Sequence, residues 1–482
     1  MEKRNLVLSS VLIGTLMSAI DTTIVILALP TITDELHSTL FLSIWIIIIY
    51  LLVVAVFTTQ LGRLGDLFGR KNIFNFGFVV FITGSALCGF ATDMDMLIAS
   101  RGLQAFGASL MQSNSNAIVA DNFGAHERGR AFGYTTMGWN VGGTLGIVLG
   151  GFITTFIGWR YIFFINVPIG LAGLALGMKY IRDTERKSTG LDIGGMALLG
   201  ILLVLITYGA TDIAGSGLDL FNLSLIVVGL LMLIPFIIME RRAKSPIMNL
   251  QAFRVRILSY SLIASFTQAL GYLSVVFLLI MYLQGIRGYS PLKASLILVP
   301  GYVIASLLAP GMGRFSDRFG PHIVASAGIV MMAVAVIVYT TLTAATDVFL
   351  VIIPASLVSG VGGAMFWPAN NSAVMSSSPK NIYGSVSGLL RTLSSIGTLF
   401  SYVLSISIAS VSVPRYIAFE VFLGTGTLRG GISGTFLQGI HTAFFASFAL
   451  LILAGIFSYF RGTHGSVKAV PATQPAVDGA NK

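Results

Sequence analysis

The sequence predicts an all-α polytopic membrane protein, and two features of its composition support that fold class. Of its 482 residues, 55% are hydrophobic and only 10% are charged, whereas soluble domains are about a quarter charged. The apolar residues are gathered in runs of about 20, and a helix of that length crosses the roughly 30 Å hydrocarbon layer of a membrane. Most of the chain is therefore expected to lie in lipid rather than in water.

Fourteen apolar runs, each bounded by charges, glycine or proline, are candidate transmembrane helices. The first run is too long for a signal peptide and no small-residue cleavage site follows it, so we expect it to be retained. Because fourteen is even, both termini are predicted to lie on one side of the membrane. In chain order the candidate spans are 6–28, 42–62, 72–91, 96–119, 131–154, 159–180, 192–211, 220–239, 258–281, 291–312, 322–343, 348–373, 383–410 and 437–460.

The distribution of basic residues predicts the orientation of these spans. Of the 29 lysines and arginines, 22 fall on the side of the N-terminus and 5 on the opposite side, while Arg101 and Arg391 fall inside spans. Cytoplasmic loops are enriched in basic residues, so the bias predicts a plasma-membrane protein with both termini in the cytoplasm. The formal net charge of +10 follows from this topology and gives no support to nucleic-acid binding.

A short motif recurs in two of the predicted cytoplasmic loops. Residues 62–69 and 313–320 both read Gly-Arg-x-x-Asp-x-Phe-Gly, and the two copies are 251 residues and eight predicted spans apart. Such an internal repeat indicates a duplicated unit, although two unrelated glycine-rich turns are the alternative. In chain order the predicted units are a first six-helix half (1–180), two inserted helices with cytoplasmic connectors (181–256), a second six-helix half (257–460) and a disordered cytoplasmic tail (461–482).

The repeated loop closely resembles the conserved cytoplasmic loop of the major facilitator superfamily, whose members contain two parallel six-helix halves. Two further stretches, Ile20–Pro30 and Trp159–Gly170, resemble signatures of its fourteen-helix drug:proton antiporter branch. Two positions depart from that branch, because Ala105 stands where glycine is usual and Ile147 where proline is usual. The resemblance implies a proton-coupled antiporter that exports amphipathic small molecules or drugs by alternating access, without a cofactor.

Asp21 is the only carboxylate well inside a predicted span. A charge at that depth is costly, so it is a functional candidate. Together with Gly14 and Ser18 it forms a small and polar stripe at helical spacing, which is expected to face the bundle or a wet cavity. The resemblance implies that Asp21 carries the coupled proton. The alternative is a structural aspartate that hydrogen-bonds a neighbouring helix.

Arg101 is the nearest predicted partner of Asp21, since both residues lie roughly 8–10 Å below the outer ends of their spans. In the family, the arginine at this position is thought to tune the protonation of the acid on the first span. A long basic side chain at this depth could instead reach the lipid headgroups. The sequence leaves both interpretations open.

The repeated loop also carries the candidates for a conformational gate. Oppositely charged residues four apart on a helix can pair, and glycines beside them allow close approach of the backbone. In relatives the corresponding charges hold the cytoplasmic ends of the two halves together. An exposed pair contributes little to stability, so a role in biasing two conformations is favoured. The candidates are Gly62, Asp66, Gly69 and Arg70 in the first copy and Asp317 and Arg318 in the second.

The fifth predicted span carries glycine at every fourth position. This spacing makes a smooth groove for another helix, and such a surface could slide or rock, although a static packing seam is the alternative. The residues concerned are Gly138, Gly142, Gly146 and Gly150, with Gly151 beside the last.

Arg391 lies roughly 12 Å from the cytoplasmic end of its predicted span. If it faces the cavity, it would repel cationic drugs and favour anionic or neutral cargo; if it pairs with a helix C-terminus, it is structural. An alternative function is therefore a carrier for a specific metabolite, which could be anionic. The other candidates for contact with substrate are polar or aromatic, namely Gln112, Trp139, Asn140, Gln268, Tyr272, Trp367 and Asn370.

Several functional classes are disfavoured by what the sequence lacks. It contains no phosphate-binding loop, no His/Cys metal cluster and no nucleophile triad, and its single cysteine, Cys88, lies inside a span. We therefore expect neither an enzyme nor an ATP-driven pump, and no metal or cofactor. The expected partners are a small-molecule substrate, protons and the lipid bilayer, with the protein as a monomer. A membrane sensor that moves nothing is a third candidate function.

Overall fold

The computed structural model describes residues 3–123, 125–182, 190–216, 219–243, 246–247, 255–377, 383–411 and 432–462. Within these ranges the regular secondary structure is helical. The predicted disordered tail at 461–482 lies almost entirely outside the described residues. The side chain of Asp317 also lies outside the described part of the structure.

The first half of the chain forms six helical segments. Two of them, which begin at Leu40 and Met94, have a capping residue, because the side chains of Thr39 and Asp93 accept hydrogen bonds from backbone N–H groups of the first turn. The fifth helix runs unbroken past Ile147, so the missing proline leaves it continuous. The segments are α1 (Lys3–Glu35), α2 (Leu40–Phe68), α3 (Arg70–Gly89), α4 (Met94–Asn122), α5 (Ala125–Phe156) and α6 (Tyr161–Phe164 followed by Asn166–Tyr180).

The rest of the chain contains the inserted pair and the second half. The inserted helices are α7 (Ile193–Ser216) and α8 (Leu220–Leu231 followed by Leu233–Arg242). The second half contains α9 (Arg256–Tyr272, Val275–Ile280 and a π-helical turn at Met281–Ile286), α10 (Pro291–Phe319), α11 (Pro321–Tyr339), α12 (Val348–Ser376), α13 (Tyr383–Val411) and α14 (Ile432–Phe460).

Twelve of these segments are long and apolar enough to cross a membrane, by length and composition, within the described residues. The two that fall short are α4 and α13, each 29 residues long. Both helices are interrupted by polar residues, including the two arginines that the sequence places inside spans. The twelve segments therefore support a multi-pass helical membrane protein. The predicted count of fourteen requires that α4 and α13 also cross the membrane.

The two copies of the repeated loop have the same backbone conformation at their last glycine. Gly69 has φ 98°, and Gly320, at the same position of the second copy, has φ 91°. Glycine adopts positive φ without the steric cost that a side chain would add. In each copy this residue ends one helix and begins the next, so the sequence repeat corresponds to a structural repeat.

The helices pack as two bundles that meet along two seams. In the first half α1 packs on α5 and α6, and α4 packs on α2 and α3; in the second half α12 packs on α10 and α11, and α14 packs on α9 and α11. The bundles meet where α2 contacts α13 and where α5 contacts α10. The inserted helix α7 lies against α2 and α13 at the first seam, and α8 packs mainly on α7.

On one face of the molecule the two bundles are in close contact. We call the face on which α1 begins the inner face, and the opposite one the outer face. Near the outer face the Gln284 side chain donates to the Leu27 carbonyl at 3.4 Å. A Cβ on Gly151 of α5 would lie 2.9 Å from the Pro291 carbonyl oxygen of α10. The bundles are therefore held together at their outer ends.

Candidate functional site

Asp21 and Arg101 form a buried ion pair at the centre of the first half. An Arg101 Nη1 to Asp21 Oδ2 distance of 2.6 Å joins α4 to α1, and the two side chains are 2% and 0% exposed. The other carboxylate oxygen accepts from Gln104 Nε2 at 2.8 Å and from Asn166 Nδ2 at 3.3 Å. The headgroup interpretation of Arg101 does not fit this geometry, because its guanidinium is enclosed by protein.

The local sequence explains why these side chains converge. Gln104 is three residues after Arg101, so both project from one face of α4, and the Gln104 oxygen accepts from Arg101 Nη1 at 2.6 Å. Ser85 of α3 accepts hydrogen bonds from Gln104 and Asn166 at 3.0 and 3.1 Å. Asn166 stands at the break in α6. Four helices of the first half thus contribute to one polar network around a single carboxylate.

Aromatic rings and a carbonyl complete the surroundings of Arg101. Its Nε donates to the Ile46 carbonyl at 3.3 Å, and its guanidinium carbon lies 4.5 Å from the centre of the Tyr50 ring. In such a dry environment an unpaired charge is costly, whereas a hydrogen-bonded pair is compensated. Neutralising Asp21 with a proton would leave the Arg101 charge without its counter-ion.

The carboxylate of Asp21 faces the interior of the first half rather than the space between the halves. The stripe that carries it begins at Gly14, where a Cβ would lie 3.3 Å from the Phe78 ring of α3. Ser18 and Asp21 have no exposed surface. Of the two environments expected for this stripe, the structure shows the bundle interior and not a wet cavity.

The first copy of the repeated loop forms a three-residue ion cluster. Arg70 donates to Asp66 Oδ1 at 2.7 Å through Nη2 and to Asp121 Oδ2 at 2.6 Å through Nη1. Asp121 is on α4 and was not singled out by the sequence pattern, since it lies 51 residues away in the chain. All three residues belong to the first half, so these ion pairs join α2, α3 and α4 to one another at its inner end.

The glycines of the first copy sit against α4. A Cβ on Gly65 would overlap the Asn114 side chain at 1.7 Å, while one on Gly62 would lie 3.5 Å from Ser113. In the second copy Arg318 is exposed, with its guanidinium carbon 5.5 Å from the Phe319 ring centre. Asp317 can be compared with Asp66 by sequence only, because its side chain is outside the described part.

The glycine stripe of α5 packs against α1. A Cβ on Gly142 or Gly146 would lie 2.7 Å from the backbone oxygen of Leu16 or Ile20. Gly138 and Gly150 face the same helix, whereas Gly151 faces α10. The stripe therefore holds the helix that carries Asp21, and only its outer end reaches the other half.

Five of the predicted cavity residues are half-buried and three are enclosed. The half-buried ones are Trp139, Asn140, Tyr272, Trp367 and Arg391, and the enclosed ones are Gln112, Gln268 and Asn370.

The enclosed residues of the second half do not fit the cavity prediction, because each is committed to a neighbour within that half. The Gln268 amide lies 3.4 Å from Met332 Sδ, and Asn370 Oδ1 accepts from Arg461 Nη1 at 3.0 Å. Gln112 is 8% exposed on α4. Sequence depth alone does not distinguish the cavity side of a helix from its packed side.

Arg391 and Trp139 meet across the space between the halves. The guanidinium carbon of Arg391, on α13, lies 5.3 Å from the centre of the Trp139 ring on α5. This distance is typical of a cation–π contact. Among the described residues no carboxylate forms an ion pair with Arg391, so the pair presents an uncompensated cation and an aromatic face to the half-buried space.

Comparison with known sequences points to one family. A profile of the family described as Major Facilitator Superfamily matches residues 11–402. The riboflavin transporter RibZ of Clostridioides difficile is 31% identical over 83% of this chain and 88% of its own. The tetracenomycin C resistance and export protein of Streptomyces glaucescens is 28% identical over 92% and 87%. The multidrug transporter protein MdtP of Bacillus subtilis is 28% identical over 83% and 74%.

Comparison with solved structures gives the same fold. A bacterial homologue of the human lysosomal transporter Spinster, in an inward-facing and unoccupied conformation, matches with a TM-score of 0.66 and 16% identity. The match covers 96% of this chain and 97% of the other. At this identity the likeness describes the arrangement of helices.

Proposed function

Because the chain belongs to the Major Facilitator Superfamily, whose members are transporters, we propose that it is a proton-coupled antiporter that exports amphipathic small molecules by alternating access. The observation that carries this proposal is the Asp21–Arg101 pair, a protonatable group held without solvent exposure in the first half. Acids at membrane depth are typical of proton relays in transporters. Relatives named for drug resistance and export support the class of cargo.

The proposed coupling uses the packing of α1. Protonation of Asp21 would release Arg101 and loosen the contact between α1 and α4. The glycine stripe of α5 packs closely on α1, and the outer end of α5 contacts α10. A movement of α1 would therefore displace α5 and, through α5, the second half. The halves would then open at their outer ends, where Gln284 and Leu27 now meet.

The proposal also includes the membrane arrangement. We propose that α4 and α13 cross the membrane with the twelve more apolar segments, because each is 29 residues long and packs between other spans. This gives the fourteen-helix arrangement, with both termini in the cytoplasm of a plasma-membrane protein. The basic residues of the inner loops support that orientation. We propose a monomer as the working unit.

Counter-transport in vesicles tests the coupling. Ethidium serves as a cationic probe, with the pH gradient and the voltage set separately. Exchange of one proton for one monovalent cation moves no net charge and should follow the pH gradient alone. In the Asp21→Asn variant, gradient-driven flux should fall to background while ethidium binding persists. Asp34→Asn, at an exposed carboxylate on the same helix, is the matched control.

Two outcomes would count against this function. If Asp21→Asn retains normal gradient-driven flux, Asp21 is not the coupling acid. If neither gradient drives flux of any probe through the wild-type protein, the non-transporting sensor becomes the better description.

A second candidate, a carrier for a neutral or anionic planar metabolite, is favoured by the Arg391–Trp139 pair. A cation that has no carboxylate partner among the described residues repels cationic cargo, and the stacked ring offers a face to aromatic cargo. The riboflavin transporter among the relatives carries a planar compound by name. With neutral cargo, each proton exchanged would also draw about 2.3 kcal/mol per 100 mV from the membrane potential.

Cargo competition separates the two candidates. Riboflavin (neutral), fluorescein (anionic) and ethidium (cationic) are compared in the wild-type protein and in Arg391→Asn. If Arg391 selects cargo, the substitution should raise ethidium flux several-fold relative to fluorescein. An unchanged ratio would remove Arg391 from the selectivity of the cavity. Arg182→Asn, at an exposed arginine of the inner face, is the matched control.

A further inference from the structure

A second charged cluster lies at the inner face, outside the sites described above. It joins Arg63, near the inner end of α2, to Asp192 and Glu240, which stand at the beginning of α7 and near the end of α8. Asp192 is 7% exposed and Glu240 is 3% exposed. The charges of Glu240, Asp192 and Asp66 all act on the Arg63 guanidinium. The antiporter mechanism uses neither carboxylate.

Arg63 contacts the backbone at both ends of the inserted pair of helices. Arg63 Nη2 donates to the Pro246 carbonyl at 2.6 Å, just after α8, and Nη1 lies 3.5 Å from the Gly190 carbonyl, just before α7. The chain enters and leaves the inserted pair at these two points. Ile247 N also donates to Glu240 Oε1 at 3.2 Å, which folds the second connector back onto the cluster.

The two carboxylates lie close together beside Gly195. A Cβ on Gly195 would lie 2.5 Å from Asp192 Oδ2 and 2.8 Å from Glu240 Oε1. Asp192 also caps α7, because its Oδ1 accepts from Gly195 N at 2.8 Å. Capping uses only one of its oxygens, and Oδ2 accepts no hydrogen bond from the described residues. Two adjacent buried acids need a nearby cation, and Arg63 supplies it.

Several polar contacts join the inner end of the inserted pair to the first half. Gln60 of α2 adds one more, since its Oε1 accepts from Asp192 N at 3.3 Å. At the outer end the attachment is divided. Tyr208 of α7 packs on Phe41 of α2, with ring centres 5.6 Å apart, while Ser407 of α13 donates to the Ala210 carbonyl at 2.6 Å. The pair therefore touches both halves, but its charged anchor is on one.

We propose that Arg63 is a positioning residue that fastens the inner ends of α7 and α8 to α2, so that the inserted pair moves as part of the first half. When the halves rock, the inserted pair would slide along α13 and keep its place on α2. Arg63 is one helical turn before Asp66, so the same contact connects the insertion to the gate loop. This inference does not rest on proton coupling or on the identity of the cargo.

Distances between spin labels on the full-length protein in nanodiscs test the proposal. In a Cys88→Ala background, a label at Arg242→Cys on α8 is paired with Asn72→Cys on α3 or with Ile323→Cys on α11, all exposed at the inner face. The Arg242–Asn72 distance distribution should be the narrower of the two. In Arg63→Gln it should broaden at least twofold, whereas Arg182→Gln, at an exposed inner-face arginine, should leave it unchanged.

Two further variants separate fastening from a general loss of folding. Glu240→Gln should broaden the Arg242–Asn72 distance distribution as Arg63→Gln does. Arg63→Lys, which keeps the charge, should leave that distribution nearly as narrow as in the parent protein. The proposal is overturned if the Arg242–Ile323 distribution is the narrower one, since the pair would then follow the second half. It is equally overturned if Arg63→Gln leaves the Arg242–Asn72 width as in the parent protein.

Discussion

In the first half Arg101 is buried against a carboxylate, whereas Arg461, directly after the last helix of the second half, is buried against neutral groups. Both side chains are almost inaccessible, at 2% and 1% exposure. Arg461 donates to Asn370 Oδ1 at 3.0 Å and to Ser261 Oγ at 3.4 Å, and also to the Pro321 carbonyl. Among the described residues it has no ion-pair partner, and burial lowers its pKa to about 10.

In the proposed mechanism this difference separates a site whose charge a proton can change from one whose charge it cannot. The charge opposite Arg101 can be removed by one proton on Asp21, and the hydrogen bonds around it would then change. The partners of Arg461 are an amide, a hydroxyl and a carbonyl, none of which titrates in the physiological range. The two halves share a repeated loop, but the proton-sensitive chemistry proposed here is confined to the first.

The largest expected effect is the loss of one partner from the Asp21–Arg101 pair. Arg101→Leu should lower the free energy of unfolding by about 3–5 kcal/mol, because Asp21 would be left as an uncompensated buried charge. Thermal unfolding of the purified protein in detergent measures the change. Combining Arg101→Leu with Asp21→Leu should recover most of the loss, and a strictly additive double variant would show that the pair does not interact.

The same substitution in the second half should have a smaller effect. Arg461→Leu leaves only neutral groups without partners, so we expect a loss of about 1–3 kcal/mol in the same unfolding experiment. Combining it with Asn370→Leu should recover part of that loss. An effect of Arg461→Leu as large as that of Arg101→Leu would remove the distinction between the halves.

Two glycines, one in each half, differ in how closely a neighbouring helix packs on them. A Cβ on Gly142 would lie 2.7 Å from the Leu16 carbonyl oxygen, whereas one on Gly311, in α10 of the second half, would meet nothing within 4 Å. Gly142→Ala should therefore cost about 1–3 kcal/mol through overpacking. Gly311→Ala should be neutral or gain up to about 1 kcal/mol, since alanine favours helix. Unfolding temperatures that fall equally would contradict the tight seam between α1 and α5.

The sequence predicted the elements that depend on local properties. Apolar run length and the repeated loop indicated where the helices lie, because both can be read within a short window. The family and the transporter class followed from the motif strings, and the comparisons confirm them. Asn166 stood inside one of those strings and Gln104 stood directly before Ala105, but the side that each presents to Asp21 depends on how α4 and α6 are rotated. That rotation is set by packing with other helices.

The contacts between distant segments could not be predicted for the same reason. Asp121 joins the gate cluster, and Asp192 and Glu240 join Arg63, only because separate helices end at the inner face. Each of these acids lies beside a polar loop in the sequence, where a carboxylate is ordinary. The glycine stripe was visible, but the sequence did not show that its partner would be α1. A search for charged residues near the predicted inner ends of several helices is the signal that could have found these clusters.

The smallest expected effect concerns the repeated loop itself, where the two halves differ least in sequence. Arg70 holds Asp66 and Asp121 with partly exposed side chains, so Arg70→Ala should cost only about 1 kcal/mol in unfolding free energy. Arg318→Ala should cost less than that, because its side chain is exposed. We propose, as the repeated motif predicts, that Arg70 biases the balance between two conformations, so Arg70→Ala should slow gradient-driven ethidium flux far more than it lowers stability. Parallel losses of flux and stability in both variants would instead assign the loop a purely structural role.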